Sequence, residues 1–382
     1  MSKIVIKEAK DYVIKESCNN NYSVLLTNLG YIYTTGYNYH GQLGLGDTND
    51  RNTFTKVDID NVKDVVCGND HTVILKNDNT VYVTGYNTCG QLGLGDTNDR
   101  ITFTKVDIDN VKKIVCNGNI TFIIKNDGTV WGCGLGLGLG LGNTTNRTIF
   151  TKVDIDNVKD IVCGSAHTFI LKNDGTVYAT GSNNDGRLGL GDTNNRNVFT
   201  KVSITNVKDI ICGSNFTFIL KNNGTIYSTG FNYQGQLGLG NNGEGTNRNT
   251  FTQVLIANVK KVICGGAHTF IIKNDNTVWC TGLNGDGQLG LGDTNDRNTF
   301  TKVDIDNVKD VVCGNDHTVI LKNDNTVWGC GNNSYDALGL EDKTDRNIFV
   351  EVELSLETKP IISVEAMGSP DQLIKLLQFN NL

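Results

Sequence analysis

The chain has 382 residues, a formal net charge of -7 and a sequence pI near 5.3, with no run rich in lysine and arginine, so it lacks the basic footprint that a phosphate backbone requires. With 44 Gly but only 2 Pro, 38% hydrophobic and 20% charged residues, the composition excludes collagen-like and Pro-rich disordered chains and favours a folded protein with many tight turns. Direct nucleic-acid binding is not expected.

Met1 to Lys10 alternates charged and apolar residues, which suits neither a signal peptide nor a membrane span. A soluble, cytoplasmic protein without a membrane partner is the expectation. Within that stretch, Lys3 to Glu8 (KIVIKE) has the pattern of a strand.

From there the chain repeats itself, and a fixed period governs every local reading. Cys18, Cys67, Cys116, Cys163, Cys212, Cys264 and Cys313 recur at intervals of 47 to 52 residues. Seven units follow, at about 11–60, 61–109, 110–156, 157–205, 206–257, 258–306 and 307–355. The unit beginning at Asn61 reads VKDVVCG, HTVILKND, NTVYVTG, a loop with GQLGLGDTNDR, then FTKVDID. Each run is rich in β-branched and aromatic residues and bounded by Gly, Asn or Asp, which gives four strands per unit. Asn173-Asp174-Gly175 and its relatives at Asn77 and Asn323 mark the hairpin between the second and third strands.

Four antiparallel strands repeated radially predict an all-β fold, one seven-bladed β-propeller spanning residues 1–382. A stacked solenoid needs distinct polar caps, whereas both termini here carry additional strand-like pieces. KIVIKE resembles the FTKVDID strand and Pro360 to Met367 the VKDVVCG strand, so the ring is expected to close by completing one blade from the opposite terminus. After this closing strand, Ser369, Pro370, Asp371 and Gln372 form a helix-start pattern ahead of Leu373, Ile374, Leu376 and Leu377, predicting a short C-terminal helix within 360–382.

The GQLGLGD motif at Gly41 to Asp47, the CGxxHT motif at Cys67 to Thr72 and the Val-Tyr/Trp-x-x-Gly strand recur in fixed order over Lys3 to Leu354. Together they resemble the repeats of the regulator of chromosome condensation family. The resemblance implies a seven-bladed propeller, a fold that in this family carries nucleotide-exchange factors, a plant ultraviolet-B photoreceptor and secreted β-lactamase inhibitors. Three departures narrow what it implies here. The exchange factors use a protruding wedge, but the longest extra loop, Asn241 to Thr246, adds only three residues to its unit. The photoreceptor needs clustered tryptophans, but Trp131, Trp279 and Trp328 occupy a strand position held elsewhere by Tyr33, Tyr82, Tyr178 and Tyr227. Chromatin-binding members carry a basic tail, and this sequence has none.

Repetition supplies an internal control: what recurs in every unit serves the fold, and what differs is free to serve a partner. Gly41 to Val81 and Gly287 to Val327 are identical, so neither copy holds a unique catalytic group. The repeated cysteines lack CxxC spacing and read as small buried hydrophobes, with no metal site expected. His71, His167, His268 and His317 share a position with Tyr22, Ile120 and Phe216, which points to packing, the imidazole bonding a neighbouring turn. Arg51 and its six equivalents read as forks tying the loop to carbonyls or carboxylates. The Asp47 to Asp50 stretch lacks an EF-hand pattern, and the Gly-Leu run from Gly134 to Gly142 has no lysine and aligns with the GQLGLG turn after a two-residue deletion. No catalytic residue and no cofactor are expected.

The loop after the third strand does vary. It carries Tyr37, Tyr39 and His40 in the first unit, Tyr86 in the second, Phe231 and Tyr233 in the fifth and Tyr335 in the seventh. Aromatic side chains give large contact area at low entropy cost, so these seven are the candidate partner-binding residues. The expected function is a non-enzymatic protein-interaction scaffold. The alternatives are a guanine-nucleotide exchange factor for a small GTPase, implied by the resemblance, and a proteinaceous enzyme inhibitor.

Overall fold

A computed structural model describes the backbone of residues 3–356 and 358–365 and the side chains of residues 10–356. The chain divides into two compact units: Val13–Glu353, and the terminal segments up to Tyr12 and from Leu354. The expected C-terminal helix lies outside the described residues.

Within Val13–Glu353 each repeat becomes one four-stranded antiparallel sheet, its strands adjacent in sequence order, which makes seven blades and a β-propeller. The second blade is Val62–Cys67, His71–Lys76, Val81–Gly85 and Arg100–Lys105. Its second strand is buried along nearly its whole length, as expected for a continuous apolar run, whereas the first alternates and lifts Lys63 to solvent. The hairpin between second and third strands turns on Asn79, at φ 66, while Asp78 accepts bonds from both the backbone N–H and the hydroxyl of Thr80.

The Gly-Leu motif fastens one blade to the next. Leu45 forms a bridge with Thr102 of the following blade, and Gly46 N–H donates to the Ile101 carbonyl. Gly44 sits at φ 72 where a Cβ would lie 2.4 Å from the Phe103 ring, so glycine alone lets that ring cover the loop. The short third-blade version keeps this register: Gly136–Leu139 forms one 3-10 turn, and Gly138 presents its carbonyl where Gln42 does in the first blade.

A hydroxyl then pins every junction. Thr72, Thr121, Thr168, Thr217, Thr269 and Thr318 each donate to a loop carbonyl of the preceding blade at 2.7–2.9 Å, and Ser23 does the same to Ala337, joining the seventh blade to the first. Phe54 covers Gly339 there as Phe103 covers Gly44, and Asn315 donates to Asn20. The ring thus closes by ordinary blade-to-blade contacts, against the expectation that one blade would be completed by the opposite terminus. Lys3–Lys10 pairs antiparallel with Thr358–Glu365 as a separate two-stranded sheet. The physical reason is that each repeat already supplies four strands, so no blade is short of a strand for a terminal segment to supply.

The cores lie between blades. Six apolar clusters fill the junctions from first-to-second through sixth-to-seventh, each built on an aliphatic residue of the later blade's first strand: Val65, Ile114, Ile161, Ile210, Val262 and Val311. The first blade places Glu16 at this position. Glu16 is 5% exposed, and neither of its carboxyl oxygens has a hydrogen-bond partner among the described residues.

Candidate functional site

Antiparallel pairing puts each blade's first-to-second turn and third-to-fourth loop at one end of the sheet. Asn38 builds the base of the first loop: its N–H donates to Asp50 at 2.8 Å, its amide to the carbonyls of Asp47 and Asn49, and its Oδ1 accepts from Leu43 N–H. Arg51 locks the far side, donating to the Asn49 carbonyl and to Asp47 at 2.6 Å, and holds that carboxyl below its ordinary range. The same fork recurs at Arg100, Arg196 and Arg297, as expected for these arginines. With the base fixed by buried hydrogen bonds, the side chains at the tip vary without disturbing it.

Five of the seven candidate residues meet. Tyr335 packs edge-on against Tyr37 with ring centroids 5.4 Å apart; Tyr37 lies nearly parallel to Tyr39 at 6.3 Å; Tyr39 meets His40 at 5.0 Å and His40 meets Tyr86 at 4.5 Å. The chain of rings crosses the tips of the seventh, first and second blades. Tyr39 and Tyr335 are 67% and 43% exposed, large values for rings that are not shielding a core. Phe231 and Tyr233 form their own stacked pair at 6.4 Å on the fifth blade. The seven residues therefore fall into one stripe of five and one isolated pair.

Carboxylates border the stripe. His40 Nδ1 is 2.8 Å from Asp99 Oδ2, which fixes the imidazole between Tyr39 and Tyr86. The Tyr37 hydroxyl is pushed above its ordinary range, first by partial burial and then by the charges of Asp70 and Asp50. Burial also raises Asp70, against the lowering effect of the Asn20 amide. Sequence reasoning missed these acids because it sought aromatic variation and read the Asp47–Asp50 stretch only as a cation motif. The signal was available: Asp50 and Asp99 stand where Asn146, Asn195 and Asn247 stand in other units.

The remaining candidates belong to the framework. His71, His167 and His268 approach a threonine hydroxyl of the next blade through Nε2 at 2.9–3.1 Å, and His317 approaches Ser23 at 3.1 Å. The partner is thus a neighbouring blade's hydroxyl, where the sequence suggested a neighbouring turn. Each of those hydroxyls donates to a carbonyl, so it accepts from the imidazole, and Nε2 carries the proton. Burial lowers His71, His167 and His268 to about 3 and His317 to about 4. Trp131, Trp279 and Trp328 lie under Lys125, Lys273 and Lys322 and donate to threonines two residues back, which commits them to their blades. Burial raises the repeated thiols, Cys67 to about 11 and Cys163 to about 12, opposing the thiolate form that binds metals. Among the described residues no three His, Cys, Asp or Glu side chains converge to hold a metal ion.

A further ring escaped the sequence reading. The third residue of each first strand is Lys15, Asp64, Lys113, Asp160, Asp209, Lys261 or Asp310, and three ion pairs link neighbours: Lys15–Asp64, Lys113–Asp160 and Lys261–Asp310. Pairs between adjacent first strands tie the blades together along their inner edges. Alternation of sign at one repeat position was the signal for it.

The blade pattern and this loop arrangement define a propeller of the RCC1-like class, and the family comparison agrees. The RCC1-like domain matches residues 2–255, and the regulator of chromosome condensation (RCC1) repeat matches 259–288, 308–336 and 275–321. The chain belongs to the RCC1-like domain family. Among curated proteins it is similar to the X-linked retinitis pigmentosa GTPase regulator of mouse, 43% identical over 53 residues, and of human, 46% over 50 residues. Those matches span 14% and 13% of this chain and 5% of each relative. Among solved structures it resembles yeast RCC1 (Prp20) bound to Kap60, with a TM-score of 0.78 and 18% identity over 97% of this chain and 94% of that one. A second structure, Prp20p from Saccharomyces cerevisiae, described with its binding properties to Gsp1p and histones, gives a TM-score of 0.77 and 17% identity over 97% of each chain. Human WBSCR16 gives 0.52 and 22% over 82% of this chain and 72% of that one.

Proposed function

We propose that the protein is a non-enzymatic interaction scaffold that holds a protein partner on the stripe Tyr335–Tyr37–Tyr39–His40–Tyr86. The observation that carries this reading is the continuity of those five rings across three blade tips whose bases are hydrogen-bonded through Asn38, Asn87 and Asn333. A prearranged aromatic surface loses little entropy on docking, and tyrosine combines apolar area with a hydroxyl for orientation. The four junction histidines, held neutral and facing hydroxyls that already donate elsewhere, are poorly placed for acid–base chemistry.

The experiment is affinity capture with Tyr39→Ala/Tyr335→Ala beside Tyr233→Ala. The stripe variant should lose its partner while keeping the wild-type thermal midpoint, and Tyr233→Ala should retain the partner. Undiminished capture by the stripe variant would refute the reading.

A second reading, guanine-nucleotide exchange on a small GTPase, draws support from the relatives: one is a GTPase regulator, and another is described with its binding to Gsp1p. Against it stands the modest Asn241–Thr246 extension, which folds back so that Gly243 N–H donates to Tyr233 and Thr246 to Asn232. Accelerated nucleotide release from candidate GTPases at micromolar protein would favour this second reading over a passive scaffold.

A further inference from the structure

Charge is segregated between the two ends of the blades. Apart from the arginine forks, the third-to-fourth loops and first-to-second turns contain only two Lys or Arg residues, Arg187 and Lys343. Both are engaged, Arg187 with Asp185 and Lys343 with Asp336. The same segments carry Asp50, Asp70, Asp99, Asp286, Asp316 and Asp345, none of them paired with a lysine or arginine among the described residues. The opposite end differs: its lysines pair with connection carboxylates, as Lys76 does with Asp60, Lys125 with Asp109 and Lys172 with Asp156.

These acids form a band beside the rings. Asp99 touches His40, and the charges of Asp70 and Asp50 reach Tyr37. Asp345 raises Asp286, and Asp286 raises Asp316, each after the larger effect of burial, so the band continues over the sixth and seventh blades. Crowded carboxylates without cations disfavour one another, and a partner's cations would relieve that repulsion. Aromatic faces favour the same partner, because ring quadrupoles attract ammonium and guanidinium groups.

Building on the docking reading above, we propose that the partner presents a basic segment, with lysine and arginine side chains lying across Tyr335, Tyr37 and Tyr39 and reaching Asp50, Asp70 and Asp99. An acidic segment would meet like charge there, and a purely apolar one would leave the carboxylates desolvated without counterions.

The repeats supply variants that the fold already tolerates. Asn stands at the Asp50 and Asp99 positions in Asn146, Asn195 and Asn247, and at the Asp70 position in Asn119 and Asn215. The Tyr37, Tyr39 and Tyr335 positions hold Leu283, Asn184 and Gln234 in other blades. The test is selection of a phage-displayed library of short random peptides on the wild-type protein. Recovered peptides are then measured against Asp50→Asn/Asp70→Asn/Asp99→Asn, against Tyr37→Leu/Tyr39→Asn/Tyr335→Gln, and against a charge control at the opposite end, Asp58→Asn/Asp107→Asn.

The expected result is peptides enriched in lysine and arginine that lose about tenfold or more in affinity with either tip variant and little with the control. Their affinity should also fall as ionic strength rises from about 0.1 M to about 1 M, where the screening length shrinks from about 10 Å to about 3 Å. Neutral or acidic peptides that bind through the tyrosines would overturn this proposal and leave the docking reading standing. Basic peptides that bind all variants alike would overturn both, and a selection yielding no tip-dependent peptide would overturn the proposal as well.

Discussion

Junctions and tips of the same blades obey opposite rules. At the junctions one chemistry is repeated: a hydroxyl to a carbonyl, a phenylalanine over a glycine, an aliphatic residue at the inner strand. At the tips the Asn38-type base is repeated, but the residues it carries change from Tyr39 to Thr88, Asn184 and Gly285. The difference teaches where selection for folding stops. A side chain packed between sheets is felt by two blades, whereas a side chain beyond the asparagine base is felt by solvent and by whatever docks there. Glu16 breaks the first rule, because it places a carboxyl where six other blades place Val or Ile.

The largest effect is expected where backbone meets backbone. Gly85 closes the third strand at φ 100, and a Cβ there would lie 2.4 Å from the Asp70 carbonyl oxygen. Gly85→Ala should cost about 3 kcal/mol, read as a lowered urea midpoint. A midpoint within error of wild type would show that the second blade yields at this end more readily than the 2.4 Å approach allows.

Next is the exception at the junctions. Burial raises Glu16 well above its ordinary value, with a smaller contribution from Asp310. A carboxyl raised in the folded state binds more protons there than in the unfolded chain, so wild-type stability declines as pH climbs above the unfolded value near 4.5. Glu16→Val should therefore stabilise by about 1–3 kcal/mol, with a gap that widens as pH rises over that interval. Thermal midpoints across pH would measure it, and a destabilised Glu16→Val would mean that the carboxyl has a structural partner.

The junction histidines give an effect of opposite slope, felt only in acid. Their folded values near 3 to 4 lie below the unfolded 6.5, so the stability they confer is whole above pH 6.5 and is lost as pH falls from there. Each contributes at most about 1.4 kcal/mol per pH unit over that window. His167→Phe copies Phe216, should fold, and should make the decline below pH 6.5 shallower. An unchanged slope in acid titration would contradict a neutral, buried imidazole. At the tips, Tyr39→Ala/Tyr335→Ala should shift stability by no more than about 0.5 kcal/mol.

The blades were legible in the sequence because their signals are local: Cys67, the hairpin asparagines and the Gly-Leu loop recur within one unit, and their period forces the radial repeat. The pairing of Lys3–Lys10 with Thr358–Glu365 was not, because strands at opposite chain ends carry no record of each other beyond their β-propensity. The seven aromatic candidates were legible as departures from the repeat. Their division into a stripe and a pair was not, because it depends on the seventh blade lying beside the first, so that Tyr335 touches Tyr37 although they are far apart in the chain. Glu16 and the Lys15–Asp64 series were visible in principle to repeat alignment, which exposes a charge at an otherwise aliphatic position and an alternation of sign at another.

The most direct test is hydrogen–deuterium exchange on the protein alone and with its captured partner. Protection is predicted at residues 37–40, 86–89 and 332–336, with the open groove of Lys152–Val158 and Tyr178 at the other end unchanged. Protection at that groove, with the three tips exchanging as in the free protein, would contradict the account.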